Sequence, residues 1–172
     1  MHFLMQYFDW SAHGGAMAHA HHAPGLVILS VLIAVFTSAM ALEQAQLARE
    51  VRNGINRHLA VGAGAVALGG GVWAMHFIGM LAMQLPVQVG YVPWITAVSL
   101  LPSLLASWVA LSLMTRERLT QRQYLGGGLL VGGGIGAMHY VGMAALEGDR
   151  VELRFDPGLF ALSVVVAVVL AM

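Results

Sequence analysis

The run HLAVGAGAVALGGGVWAMHFIGMLAM, residues 58–83, contains no Asp, Glu, Lys or Arg. A stretch this long and apolar covers the roughly 30 Å hydrocarbon core of a bilayer when it is wound as a helix. Near its end stands Met75-His76-Phe77-Ile78-Gly79-Met80, and the hexapeptide returns as Met138-His139-Tyr140-Val141-Gly142-Met143 in a second apolar run. The offset of 63 residues between His76 and His139 also superposes Gly69-Gly70-Gly71 on Gly132-Gly133-Gly134 and Ala74 on Ala137. The repeat is parallel, and it builds a membrane protein from duplicated helix pairs. A titratable ring inside a membrane span is costly, which makes the two histidines the first functional candidates.

Outward from that repeat, five spans are expected, at residues 24–48, 58–83, 91–115, 123–146 and 157–172. The chain is 59% hydrophobic and 9% charged, so it reads as an all-α polytopic membrane bundle. Runs of about ten alternating residues, the mark of a membrane β-barrel, are missing. Arg49, Arg52 and Arg57 occupy the first connection and Arg116, Arg118 and Arg122 the third. The positive-inside rule places both in the cytoplasm, which puts the N-terminus and both Met-His motifs at the outer face of the membrane. Tyr91 and Trp94 at the outer end of span three suit the interface. Residues 1–23 form an outer His-rich segment and 24–172 the membrane domain. The fifth span stops at Met172 without a polar exit, so the natural protein is expected to continue, with any output domain beyond this chain.

On a helix, residues four apart share a face, so His76 projects with Met80 and His139 with Met143. Gly69 and Gly132, each seven residues before its histidine, put small residues on that face, and close approach of spans two and four along these stripes would bring the two pairs together. With no cysteine in the chain, thiolate sites and Cys nucleophiles are excluded. Imidazole with thioether is a soft donor set that favours copper, with iron or haem second. Met75 and Met138 point about 100° away from their histidines and stand between lining a site and plain packing. Met83 shares the His76 face but has Leu146 at its counterpart. His22 beside Pro24 lies within reach of the motif ends; His13, His19 and His21 fit a solvated tail better than a site. The glycine triplets are assigned to helix contact, Pro102 to a kink in span three, and Glu43 to the cytoplasmic end of span one.

Trp73 to Met80 and Ala137 to Ala144 resemble the signature of the MHYT domain, a bacterial integral membrane sensor module, and the resemblance extends over nearly the whole chain. It implies an outward-facing metal site, proposed to be copper, that senses oxygen, carbon monoxide or nitric oxide. Carried over by residue, it names Met75, His76, Met80, Met138, His139, Met143 and His22. It also implies a cytoplasmic output, often in cyclic-di-GMP synthesis or hydrolysis, a kinase or a DNA-binding domain. Ile78 and Val141 depart from the Thr usual in the family's later motifs, and a third motif is expected on a sixth helix beyond Met172.

The expected function is a membrane sensor without catalysis of its own, since no nucleophile is paired with a base. Its expected partners are the bilayer, a diatomic gas, an output domain in cis or in trans and a second copy of the chain. No nucleic-acid footprint is present: there is no Lys and formal charge is balanced. Two rival readings are a copper transport or handling protein and a structural module whose His and Met residues pack the bundle.

Overall fold

The computed structural model describes residues 21–51, 53–84, 89–147 and 156–172. His13 and His19 lie outside these residues, as do Arg52 and most of the fourth connection. Two-residue strands punctuate the helices: β1 (His21–His22), α1 (Pro24–Glu50), α2 (Gly54–Ala82), β2 (Met83–Gln84), β3 (Gly90–Tyr91), α3 (Pro93–Val98), α4 (Leu100–Met114), α5 (Gln121–Ala144), β4 (Leu146–Glu147) and α6 (Pro157–Leu170). The architecture is an all-α bundle in which each span packs on the next: α1 on α2, α2 on α4, α4 on α5 and α5 on α6.

Among the described residues, three units are long and apolar enough to cross a membrane: α1, α2 and the combined Pro93–Met114. The expected fourth span, α5, has 24 residues, or roughly 36 Å, but glycines dilute its hydropathy; it lies between α4 and α6. The fifth, α6, is shorter at 14 residues. Proline at the first turn opens α1, α3 and α6, where its missing N–H costs nothing. Asn53, Thr120 and Asp156 cap α2, α5 and α6 through their side chains. Span three breaks between α3 and α4 at Ser99. Pro102 is the cause: it brings no N–H to the carbonyl of Val98, four residues back, and crowds it.

The repeat extends to whole helical hairpins. β1 pairs antiparallel with β2, His22 opposite Met83, and β3 with β4, Tyr91 opposite Leu146. The next hydrogen bond is the same in both halves: Ala23 N–H to the Ala82 carbonyl and Val92 N–H to the Ala145 carbonyl, each 2.8 Å. Both acceptor alanines are fully buried. Six residues after each span-opening proline stands a serine, Ser30, Ser99 or Ser163, whose hydroxyl donates to the carbonyl three residues back. The beginning of a third unit is therefore present in α6.

The glycine triplets make helix contacts, but with different partners from those expected. A Cβ at Gly69 would stand 2.9 Å from Leu104 Cα of α4, and one at Gly132 would stand 2.6 Å from Val168 Cα of α6. Gly71 faces Thr37 of α1, and Gly134 faces Ala106 of α4. The first and third glycines thus press on the spans that follow and precede their own helix, while Gly70 and Gly133 face open space. Ser103 adds a hydroxyl donated to the Gly69 carbonyl at 2.8 Å. In lipid, such backbone contact and interhelical hydrogen bonding replace the hydrophobic drive available in water.

Arg49, Arg57, Arg116 and Arg118 collect at one end of the bundle, around the first and third connections. The strand pairs, on the far side of the helices, close the other end. By the positive-inside rule the arginine end is cytoplasmic and the strand end faces out.

Candidate metal centre

At the strand end, a pocket of about 630 Å³ is lined by His22, Met75, His76, Met80, His139 and Met143, together with Ser30, Gly79, Met83 and Leu146. Each donor arrives there for a local reason. His76 and Met80 share a face of α2, and His139 and Met143 the corresponding face of α5. His22 is carried in by β1, whose pairing with β2 sets it opposite Met83.

The two histidine rings meet edge to face with centroids 4.9 Å apart. That separation lies within the reach of one ion bonded to both imidazoles at about 2 Å. The meeting depends on Gly142: a Cβ there would stand 2.9 Å from His76 Nε2 and 3.2 Å from Phe77 Cζ. It is this glycine that admits the His76 ring to α5, in place of the stripe contact expected from Gly69 and Gly132.

Aromatic rings brace both histidines. Phe77 lies 5.2 Å from His76, with Trp73 and Tyr91 beyond it at 4.9 and 6.1 Å from Phe77. Tyr140 lies 5.1 Å from His139 and 4.5 Å from Phe160. Trp73 is itself held, its indole N–H donating to Ser99 Oγ and to the Thr96 carbonyl.

His76 Nε2 is buried and has no hydrogen-bond partner among the described residues. A buried polar atom left unmatched costs roughly 1–3 kcal/mol, so a bound partner at this nitrogen would recover stability. Among the described residues no three His, Asp or Glu side chains stand together. A metal held here would therefore draw on imidazole and thioether, and the residues present fit a soft ion.

Of the sequence candidates, six line the pocket and Met138 does not. Met138 is 2% exposed and packs inside the bundle, as its angular offset from His139 allows. Met75, at the same offset in the first copy, does line the pocket, so the two halves differ. Met83 lines it too, as does Leu146, its counterpart in the second copy. The residues missed were Ser30 and Gly142; a serine recurring six residues after each span-opening proline was the readable signal for Ser30, and the glycine repeated inside the motif was the signal for Gly142.

The chain is similar to several bacterial signalling proteins. It is 34% identical over 154 residues to signaling protein YkoW of Bacillus subtilis, an alignment covering 87% of this chain and 18% of that protein. It is 39% identical over 144 residues to the bifunctional diguanylate cyclase/cyclic di-GMP phosphodiesterase MucR of Pseudomonas aeruginosa, covering 84% and 21%. With the cyclic di-GMP phosphodiesterase NbdA of the same organism it shares 35% over 156 residues, covering 90% and 19%. The chain thus spans about a fifth of the length of these relatives. No solved structure matches it. The family described as a bacterial signalling protein N terminal repeat matches residues 69–127 and 132–172, more than half of the chain. Through both copies of its motif, this multi-pass inner-membrane chain belongs to the MHYT family.

Proposed function

We propose that the chain is the sensory membrane domain of a signalling protein, with a soft metal, copper, held between His76 and His139. The observation that carries this reading is the unpartnered, buried His76 Nε2 beside a second imidazole 4.9 Å away. Met80 and Met143 supply thioethers from the same helix faces, and His22 and Met75 reach the pocket from β1 and α2. Copper bound there would supply a redox-active centre able to take up oxygen, carbon monoxide or nitric oxide.

The chain's own residues account for the transmission. His76 belongs to α2 and His139 to α5, and the contacts between these helices through His76, Phe77, His139 and Gly142 lie at the outer end. A change in how the two imidazoles are held would shift one helix against the other, and both helices begin at the cytoplasmic face, next to the arginine-rich connections. Relatives whose names carry cyclic-di-GMP enzymes suggest an output of that class, joined to this domain in cis or acting in trans.

The test is metal analysis by mass spectrometry on protein purified without a His tag, beside the double variant His76→Ala/His139→Ala. Stoichiometric copper in the parent, lost from a variant that still folds, supports the reading. Protein that takes up no metal after exposure to Cu(I) refutes it and leaves the histidines as packing residues.

A further inference from the structure

We infer that the arginine end of the bundle holds a binding site for the phosphate group of an anionic phospholipid of the inner leaflet. A pocket of about 620 Å³ opens there, lined by Arg49, Arg57, Thr115, Arg116, Glu117 and Arg118. Its four guanidiniums divide into two kinds. Arg49 donates through Nε and Nη2 to the Met114 carbonyl, and Arg57 Nη2 donates to the Thr115 carbonyl at 2.9 Å. These two close the C-terminus of α4, taking up carbonyls that the helix leaves without partners. Their stems come from α1 and α2, so three helix ends meet at one point.

The Arg116 backbone N–H donates to the Leu113 carbonyl at 3.0 Å, but among the described residues the guanidiniums of Arg116 and Arg118 make no hydrogen bond or ion pair, and Glu117 pairs with none of the four arginines. Four positive charges therefore face one carboxylate and the partial negative charge of one helix end. The balance stays clearly positive in a pocket at headgroup depth, with two forks of donors unspent. Guanidinium groups match phosphate oxygens in pairs, and basic pockets between helices on the cytoplasmic side take anionic headgroups. Orientation by the positive-inside rule requires only charge; it does not require arginines gathered around a cavity with their neighbours pinned to helix carbonyls.

The experiment follows thermal unfolding of the full chain in a zwitterionic detergent, titrated with phosphatidylglycerol, phosphatidylcholine or inorganic phosphate. The variants are Arg116→Gln/Arg118→Gln, which spares the two helix-closing arginines, and Arg122→Gln, a charge control outside the pocket. Phosphatidylglycerol is expected to raise Tm where phosphatidylcholine does not, with affinity falling roughly 25-fold in the double variant and little in the control. Stabilisation by inorganic phosphate with none from the lipid keeps the phosphate site and assigns it a soluble source. Equal effects of both lipids, or equal loss in Arg122→Gln, overturns the inference in favour of general lipidation or diffuse surface charge.

Discussion

The His76 ring rests on Gly142, its Nε2 2.9 Å from where a Cβ would stand. The glycine of the second motif is thus the seat for the histidine of the first, and the corresponding Gly79 faces open space. Two copies of one motif do unequal work once folded.

From this contact, Gly142→Ala is expected to push His76 out of place. The added methyl meets Phe77 as well, so the overpacking should cost about 1–3 kcal/mol, and copper binding should fall more than stability. Gly136→Ala, which meets nothing within 4 Å and lies outside the pocket lining, is the control and should keep both. Metal content by mass spectrometry and Tm in detergent report the two effects; equal behaviour of the two variants would contradict the seat.

The triplet glycines predict an alternation. Gly132→Ala meets the Val168 backbone at 2.6 Å and should destabilise the bundle by about 1–3 kcal/mol, whereas its neighbour Gly133→Ala has free space and gains up to about 1 kcal/mol of helix propensity. Thermal unfolding of the pair decides the matter, and opposite signs are expected.

Ser103→Ala removes the hydroxyl bonded to the Gly69 carbonyl while leaving the small side chain that the close approach needs. A loss of about 0.6 kcal/mol is expected, in line with hydrogen bonds between membrane helices. A loss several times larger would mean that the pairing of α2 with α4 depends on this bond more than on backbone contact.

His22→Ala should weaken metal binding without unfolding the chain. The β1 pairing is made by the backbone and the His22 side chain is exposed, so the fold does not rely on the ring. Competition with a Cu(I) chelator should reveal an affinity drop of about tenfold or more, by comparison with the loss of groups that merely support a ligand. Unchanged affinity would remove His22 from the ligand set and leave the two motif histidines.

Much of this was readable in the letters. The apolar runs gave the helices to within a few residues, the constant spacing of His76 and His139 exposed the repeat, and the glycine triplets announced close contacts. The partners of those glycines were not readable, because Gly69 matches any small face and only packing selects Leu104 over α5. The strand pairs escaped for a different reason: two residues carry no periodicity, and His22 opposite Met83 is a relation across more than sixty positions. The repeat among the odd spans was hidden too. It rests on Pro24, Pro93 and Pro157 with the serines that follow, at spacings that loops of unequal length have shifted, whereas the even spans keep one register.

The strand pairs also decide what kind of motion the domain can make. Each two-residue ladder ties the outward tip of one hairpin, α1 to α2 and α3 to α5, and the histidines join the two hairpins at that same outer level, above the seam where α2 lies along α4. The seam runs from that level through the Ser103 bond to Gly69 down to Arg49 and Arg57 on the end of α4, so a twist begun at the outer face has an unbroken keel to travel along to the inner one.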